Sequence, residues 1–418
     1  MDTTPASPQA GGGAPMEWRA TREAALARLD AFAPKTGRFY ASQRNYDRGP
    51  DARGNVSALS PWISLRMILE EEVLAETLAR GPYAPAEKFI QEVFWRGYFK
   101  GWLEHRPGVW KRYQYDVHQQ IEALADDLGL ARRYERAVNG QTGIDCFDAW
   151  ADELTQTGYL HNHARMWFAS IWIFTLKLPW ALGADFFYRY LLDGDAASNT
   201  CSWRWVAGLH TQGKTYLARA DNIRKFTDHR FEVASPLAAE APALAEAPVE
   251  APVAPDLETS APSGAFGLLV TEEDCCPETL PLPLRPEVIL VLSAPSARSP
   301  LPLGETAAGF ISGALADTHK RAQGAIDSPC EISDDDAWAG TLIDWAKTHR
   351  LETIVCAYAP TGPVADRLRE ASEDIAAAGL NLHFTARPYD KAVWPHARKG
   401  FFNLKKKIPQ ILSDIDLV

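Results

Sequence analysis

The sequence lacks the long apolar runs that membrane proteins and secreted precursors carry. No stretch of the 418 residues approaches the roughly 18 to 20 uncharged apolar residues that a membrane-spanning helix needs. The first residues, MDTTPASPQAGGGAPMEW, contain no basic segment followed by an apolar one, as a secretory signal would. We therefore expect a soluble, cytoplasmic protein without a membrane partner.

Cysteine is also scarce. There are six cysteines, none in a CxxC pair, and only Cys275 and Cys276 are adjacent. This pattern suits a reducing compartment and argues against both a disulfide scaffold and a structural zinc site. We expect no bound metal.

The basic surplus typical of many nucleic-acid-binding proteins is missing from the chain as a whole, whose net charge is −11. The charge is unevenly distributed, however. Residues 1–235 carry 28 basic and 28 acidic side chains, which leaves 15 basic and 26 acidic ones for residues 236–418. A neutral first half can present a local basic face, so the net charge does not exclude a nucleic-acid partner. The acidic second half can instead contact a protein partner.

An Ala-, Pro- and Glu-rich tract over residues 236–265 divides the chain. Such a tract cannot form a core, and we expect a semi-rigid, extended linker. Residues 1–15 are mostly small and polar and predict a flexible tail. We therefore predict a first domain over residues 16–235 and a second over residues 266–418.

The first domain has the apolar periodicity of helices throughout, and it holds 11 of the 14 tryptophans. Its helical patterns cover residues 64–80, 85–104, 117–128, 147–157 and 161–178. We therefore predict an all-helical domain.

The second domain alternates short apolar runs with helical patterns, which indicates a parallel α/β (Rossmann-like) sheet. Strands are predicted at residues 287–293, 352–358 and 380–386, and helices at 305–324, 336–349 and 364–378. Neither GxGxxG nor GxxxxGK[ST] follows the first predicted strand, so no ligand can be assigned to this domain.

Four short segments of the first domain combine polar and aromatic side chains in patterns that can bind a ligand. Glu92, Trp95 and Arg96 share one helix face, although a solvated Glu–Arg pair would give the same pattern. Residues 56–61 form a turn of the kind that binds phosphate. Residues 161–166 place a polar stripe ahead of an apolar helix. Residues 193–205 carry two carboxylates, an amide and two indoles, but a helix-capping Asx turn explains the first part equally well.

Together, these segments resemble the helical FAD-binding domain of the DNA photolyase/cryptochrome family, in the family's order and over residues 38–226. The matching motifs are YASQRN (40–45), SALSP (57–61), EVFWR (92–96), GQTG (140–143), FDA (147–149), TGYLHNHARM (157–166), LDGDAASN (192–199) and WRW (203–205).

The resemblance implies that the first domain binds FAD. The matching positions are Tyr40, Ser57, Ala58, Leu59, Ser60, Arg96, Asn162, Arg165, Asp193, Gly194, Asp195 and Asn199. Asn199 falls where the family places the residue facing flavin N5, and Arg165 is expected to pair with Asp193. An antenna pigment cannot be assigned. Because only Cys146 and Cys201 lie in this domain, we expect no iron–sulfur cluster.

The resemblance also implies a pocket for damaged DNA, formed by Glu92, Trp95, Asn162, His163, Met166 and Trp205. A (6-4) repair enzyme would carry His at the positions of Asn162 and Met166, so the pocket is of the type that splits cyclobutane pyrimidine dimers. His163 and Asp152 replace basic residues found in many relatives, which predicts weak or single-stranded DNA binding.

The resemblance further implies a chain of aromatic residues that carries electrons from the surface to the flavin. Trp203 and Trp180 match its first two members, and with Glu92 and Asn199 they are the predicted catalytic residues. No Trp occurs in residues 123–140, where the third member is expected. Either Tyr134 takes its place, the route branches, or Trp203 and Trp180 are only core residues. The possible branch residues are Trp150, Trp167 and Trp172.

The order of the domains departs from the family, whose typical members begin with the α/β domain. Residues 394–409, WPHARKGFFNLKKKIP, are similar to the end of that family domain. A circular permutation is the preferred interpretation, and fusion to an unrelated α/β domain is the alternative.

Three functions follow from these observations. The first is a blue-light-dependent photolyase that repairs cyclobutane dimers by electron transfer from excited reduced flavin. The second is a cryptochrome-type photoreceptor that signals to a protein partner. The third is a flavin-storing relative that has lost its light chemistry.

Overall fold

The computed structural model describes residues 17–257, 262 and 264–418; the predicted tail, residues 1–15, lies outside them. The first domain is all-helical, as predicted. Its helices are α1 (Arg22–Phe32), α2 (Arg38–Gln43), α3 (Ser60–Ser64), α4 (Glu70–Ala79), α5 (Tyr83–Glu104), α6 (Pro107–Asp126), α7 (Leu128–Val138), α8 (Asp145–Thr157), α9 (Asn162–Ser170), α10 (Trp180–Tyr190), α11 (Ala196–Val206) and α12 (Ala220–Phe226). No helix of the described residues is long and apolar enough to cross a bilayer.

Two of the predicted helices are interrupted. The pattern over residues 64–80 is broken because Arg66 adopts a left-handed conformation, with φ 49°, and the chain becomes helical again only at Glu70. The pattern over residues 161–178 continues as a π-helical segment, Ile171–Thr175, after α9 ends. Apolar periodicity continues across both irregularities, so it could not reveal them.

The second domain is a five-stranded parallel sheet flanked by helices, which confirms the predicted fold class. The strand order is β3-β2-β1-β4-β5. The elements are β1 (Gly267–Val270), β2 (Val288–Leu292), α13 (Glu305–Ala325), β3 (Cys330–Ser333), α14 (Trp338–Thr348), β4 (Thr353–Ala357), α15 (Pro363–Ala377), β5 (Asn381–Thr385), α16 (Pro388–Val393), α17 (Phe401–Lys405) and α18 (Ile408–Asp414).

The described residues of the tract between the domains, 236–257, 262, 264 and 265, form no helix or strand, but the tract does not stand free of the protein. The backbone N–H of Leu244 donates to the carbonyl of Ala207, and that of Val253 donates to the carbonyl of His105. Glu246 pairs with the buried Arg204. The described part of the predicted linker is therefore an extended strap along the helical domain.

Helix α5 is in contact with the second domain along a face that carries two glycines. A Cβ at Gly97 would lie 3.0 Å from the Tyr389 hydroxyl, and one at Gly101 would lie 2.8 Å from Cα of Trp394. Only glycine permits this close approach of the 3-10 turn Trp394–His396 to the helix. Helix α5 thus holds the C-terminal segment firmly against the helical domain.

Buried ion pairs join the two domains beside this contact. Arg66 lies 2.6 Å from Asp390 and 3.6 Å from Asp274, and Arg387 also binds Asp274 at 2.6 Å. The side chains of all four residues are at most 3% exposed. Separating the domains would take Arg66 away from both aspartates and would leave the buried Asp390 carboxylate without its ion-pair partner, which is costly.

Candidate functional site

A cavity of about 560 Å³ opens in the helical domain, a volume within the usual range of small-molecule sites. Helices α2, α5, α9 and α11 contribute to its wall, together with residues 56–60 and 159–161. Most of the predicted site residues line it: Tyr40, Ser57, Ala58, Leu59, Ser60, Glu92, Trp95, Arg96, Asn162, His163, Arg165, Met166, Asp193, Asn199, Trp203 and Trp205. Motifs far apart in the sequence therefore meet around one cavity.

The turn at residues 57–60 is held by Arg28. This arginine donates from Nε to the carbonyl of Ser57 at 2.6 Å and from Nη2 to the carbonyl of Val56 at 2.8 Å. Ala58 has a left-handed backbone, with φ 52°. The backbone N–H groups of residues 57–59 donate to no acceptor in the described part of the chain. They remain available to an anionic ligand.

Arg165 and Asp193 form the ion pair expected from the resemblance. Nη2 of Arg165 lies 2.9 Å from Oδ2 of Asp193, and Nε donates to the carbonyl of Leu160 at 3.0 Å. The Asp193 side chain is only 3% exposed. Asn199 is fixed in the same wall because its Nδ2 donates to the carbonyl of Ala184 at 2.8 Å. Its amide oxygen remains as an acceptor.

Several buried polar atoms of the wall have no partner among the described residues. Leaving such an atom unsatisfied costs about 1 to 3 kcal/mol, unless a ligand or water binds it. The atoms are Nε and Nη2 of Arg96, Oδ1 of Asp193, Oγ of Ser198 and Nε1 of Trp203. They offer a ligand one carboxylate oxygen, one hydroxyl and several N–H donors, two of them on a cation.

Three predicted residues do not line the cavity. The carboxylate of Asp195 accepts from the backbone N–H of Ser198 at 2.7 Å and pairs with Lys100 at 2.8 Å. Because Lys100 also binds Glu273 of the second domain at 3.2 Å, Asp195 belongs to the domain contact. Gly194 is likewise outside the cavity wall. So is Trp180, whose ring neighbours are Tyr113 and the guanidinium of Arg204.

The cavity mouth carries the residues predicted to bind damaged DNA. Glu92 accepts a hydrogen bond from Arg44 at 2.5 Å, and burial raises the pKa of this carboxyl group, opposed by Arg44. Burial also lowers the pKa of His163, whose Nδ1 contacts the carbonyl of Asn45 at 2.8 Å. His163 is therefore neutral at physiological pH and adds no charge for a phosphate. Trp205 is 36% exposed at this mouth.

The second domain completes the mouth, which the sequence did not indicate. Gly400, Phe401 and Phe402 all line the cavity. Phe401 stacks on Trp95 with ring centroids 3.8 Å apart and planes inclined by 13°. The stack covers one face of the indole that was predicted to hold an unstacked base, so a base on that face would have to displace Phe401.

An aromatic series leads away from the cavity through Trp203. Its ring lies 6.2 Å from that of Trp172, which in turn lies 6.0 Å from that of Tyr134. No ring contact joins Trp203 to Trp180 among the described residues, and Trp150 and Trp167 stack on each other. Of the alternatives left open by the sequence, the series through Trp172 to Tyr134 is the one with continuous ring contacts.

Sequence reasoning missed several residues of the site. Arg44, Tyr159 and His161 line the cavity and lie within matching motifs, but they were assigned no role; His210 also lines it and lies outside every motif. Burial lowers the pKa of His161 and of His210 to about 4, so both are neutral. Phe401 and Phe402 carried a signal that went unused, since two adjacent aromatics within a lysine-rich segment are unusual.

Comparison with known proteins matches part of the helical domain to one family. Residues 89–248 match the family described as the FAD binding domain of DNA photolyase. A deoxyribodipyrimidine photo-lyase of Thermus thermophilus is 36% identical over 194 residues, which cover 46% of this chain and 44% of the relative. One from Streptomyces griseus is 31% identical over 204 residues, 45% of this chain and 43% of the relative. The chain thus spans less than half the length of these relatives.

Two solved structures also align with about half of the chain. A cryptochrome of Synechocystis sp. PCC6803 aligns at 24% identity over 50% of this chain and 44% of its own, with a TM-score of 0.41. A class III photolyase of Agrobacterium tumefaciens aligns at 25% identity over 49% and 44%, also with a TM-score of 0.41.

Proposed function

The helical domain belongs to the DNA photolyase/cryptochrome family, and from this premise we propose that the protein is a FAD-binding photolyase that repairs cyclobutane pyrimidine dimers under blue light. The observation that carries the proposal is a single cavity lined both by residues at the family's FAD positions and by residues at its lesion positions. Its antenna pigment, if it uses one, is not assigned.

The unsatisfied polar groups of the cavity wall fit FAD. The Arg96 guanidinium and the N–H groups of the 57–60 turn suit the pyrophosphate, because each presents donors to an anion. Oδ1 of Asp193 suits a ring N–H or a ribityl hydroxyl. Asp195, committed to Lys100, is left out of this set. Bound FAD supplies the light-driven electron transfer, and the protein supplies position and a dry wall.

The residues at the mouth suit an unstacked pyrimidine pair. The Glu92 carboxyl group can hydrogen-bond the base edges, and Trp205 offers an exposed indole for stacking. Arg44 holds Glu92 in place before a substrate arrives. Because burial lowers the pKa of His163, this residue offers no charge to a DNA phosphate, and we expect contacts with the bases to contribute more to binding, which favours single-stranded DNA.

The covered face of Trp95 favours the second candidate, a photoreceptor of the cryptochrome type. A photoreceptor does not need an open pocket for damaged bases. In this protein, Phe401 covers one face of Trp95 and so fills part of the predicted pocket. In that case the acidic second domain would be the surface that contacts a protein partner. The two candidates share FAD and differ in whether DNA is a substrate.

The test is light-dependent repair of one cyclobutane thymine dimer in an oligonucleotide, single-stranded and duplex in parallel. The full chain is loaded with FAD, photoreduced, and compared under blue light and in the dark by the recovery of thymine absorbance. Glu92→Gln should slow repair by about 10- to 100-fold, the worth of a hydrogen bond to a charged group. Glu122→Gln, on the exposed surface of α6, is the matched control.

Repair under light alone would establish a photolyase and identify its preferred strand state. If the protein binds FAD and photoreduces it but repairs neither strand form, the photolyase proposal fails and the photoreceptor remains. If the protein binds no FAD, both proposals fail.

A further inference from the structure

The segment over residues 398–407, called here the basic lip, belongs to the second domain and reaches the mouth of the cavity through Gly400, Phe401 and Phe402. It carries Arg398, Lys399, Lys405, Lys406 and Lys407, and no acidic residue occurs between residues 391 and 413. This is an exception in a half of the chain that is otherwise acidic. The local charge is therefore opposite to that of the domain around it.

The lip is fixed to the helical domain at three points. Phe401 stacks on Trp95, Nη2 of Arg106 donates to the carbonyl of Arg398 at 2.7 Å, and Lys405 pairs with Glu87 at 3.3 Å. These contacts bury Phe401 and hold the rest of the segment in one position. The lip is therefore a preformed surface, which does not have to be ordered when a ligand binds.

Four cations of the lip are exposed and have no ion-pair partner in the described part of the chain: Arg398, Lys399, Lys406 and Lys407. A cation that is already paired with a carboxylate adds little to the affinity for a phosphate. An unpaired, exposed cation adds more, because its contact with a phosphate releases counterions. On the helical side of the mouth, burial lowers the pKa of His163 so that it adds no positive charge, and Arg44 is already paired with Glu92.

An exposed aromatic ring lies between these cations in the sequence. Phe402 is 73% exposed although it is fully apolar, and it lines the cavity mouth together with Trp205. Apolar rings flanked by cations are the combination with which proteins bind single-stranded nucleic acid, since each ring stacks on a base while the cations hold the backbone. A purely structural Phe would be expected inside the core.

We propose that the basic lip is a contact site for single-stranded DNA, at which the cations hold backbone phosphates and Phe402 stacks on a base next to the cavity mouth. This inference rests on the proposed function for its choice of DNA as the partner. It adds that the second domain supplies phosphate contacts beside the cavity mouth.

The experiment measures binding of undamaged, fluorescein-labelled oligothymidylate to the full chain in the dark, by anisotropy over a range of salt concentrations. Lys406→Gln/Lys407→Gln should make the plot of log affinity against log salt shallower by about 1.4, because two phosphate contacts are lost. When the salt concentration falls from 1 M to 0.1 M, the affinity of the parent should therefore rise by about 25-fold more than that of the variant. Arg132→Gln/Arg133→Gln, on the exposed surface of α7, removes the same charge away from the cavity and should change neither quantity by as much.

The role of Phe402 is tested with a second probe, an abasic oligonucleotide of the same length. Phe402→Ala should weaken binding of oligothymidylate by roughly 5- to 100-fold and leave the abasic probe unchanged, while Phe402→Trp restores binding. Because Phe402 is exposed, neither substitution threatens folding.

Equal salt slopes for the lysine and arginine double variants would overturn the proposal. So would a Phe402→Ala variant that binds both probes normally, or loses both equally. These results are independent of flavin chemistry. If the protein repairs dimers but the lip variants bind DNA as the parent does, only the proposed role of the lip is refuted. If the lip variants behave as expected but the protein never repairs dimers, only the photolyase proposal is refuted.

Discussion

Glu71 lies near the contact between the domains, and its titration should make the free energy of unfolding depend on pH. It lies in the first turn of α4, and its Oε2 atom is buried without a partner among the described residues. Burial, together with the charge of Glu70, raises its pKa from 4.5 to about 7. Arg66 opposes the shift, and Asp390 of the second domain adds to it. Glu71 is therefore uncharged in the folded protein at mildly acidic pH.

The direction of the effect follows from proton linkage. Between about pH 4.5 and pH 7 the folded protein binds more protons at Glu71 than the unfolded chain does, so stability falls as the pH rises. The rise of the pKa from 4.5 to about 7 corresponds to about 3 kcal/mol of stability, which is fully lost above pH 7. Glu71→Gln keeps the shape of the protonated acid and cannot ionise. It should therefore be more stable than the parent by up to about 3 kcal/mol near pH 8, and equally stable near pH 4.

The assay is urea unfolding followed by tryptophan fluorescence at both pH values. Glu135→Gln, an exposed position on α7, is the control and should give the same difference from the parent at each pH. The reasoning is refuted if Glu71→Gln gains nothing near pH 8, or gains as much near pH 4 as near pH 8.

Three further predictions concern the site and the domain contact. Trp172→Phe should slow light-driven reduction of bound FAD by an external thiol more than Trp180→Phe does, as flavin absorbance under blue light will show; equal slowing would remove the series through Trp172. Asp193→Asn should cost about 3 to 5 kcal/mol by leaving its arginine partner unpaired, and the FAD content of the purified protein should fall; unchanged flavin-to-protein absorbance would contradict this. Gly101→Ala should destabilise the protein by about 1 to 3 kcal/mol in urea because its Cβ meets the neighbouring backbone at 2.8 Å, whereas Gly340→Ala, with open space around it, should not.

The local pattern of apolar residues was enough to predict the helical domain and the parallel sheet. Strands β2, β4 and β5 were predicted because each is a distinct apolar run. Strands β1 and β3 were missed for different reasons. β1 has only four residues, and β3 is an edge strand of sequence CEIS, so most of it is not buried. The periodicity of apolar residues alone is weak evidence for strands of only four residues.

The candidate site could be predicted as far as contacts within the helical domain determine it. The ion pair of Arg165 with Asp193 is of this kind. The resemblance placed Asp195 at the cofactor, but the structure pairs it with Lys100, a residue 95 positions earlier that also binds the second domain. The position of Phe401 could not be predicted for the same reason, because it depends on how the two domains dock. Sequence pattern within one domain carries no information about such docking.

The position of the basic lip also affects how the protein is made. Residues 398–407 leave the ribosome long after helix α12, the last helix of the first domain. At common synthesis rates of roughly 5 to 20 residues per second, the delay is on the order of 10 to 35 s. During that time the helical domain has Trp95 uncovered and Arg66 without its partners in the second domain. A nascent chain thus exposes a wider cavity mouth than the finished protein, and FAD can enter before Phe401 closes over it.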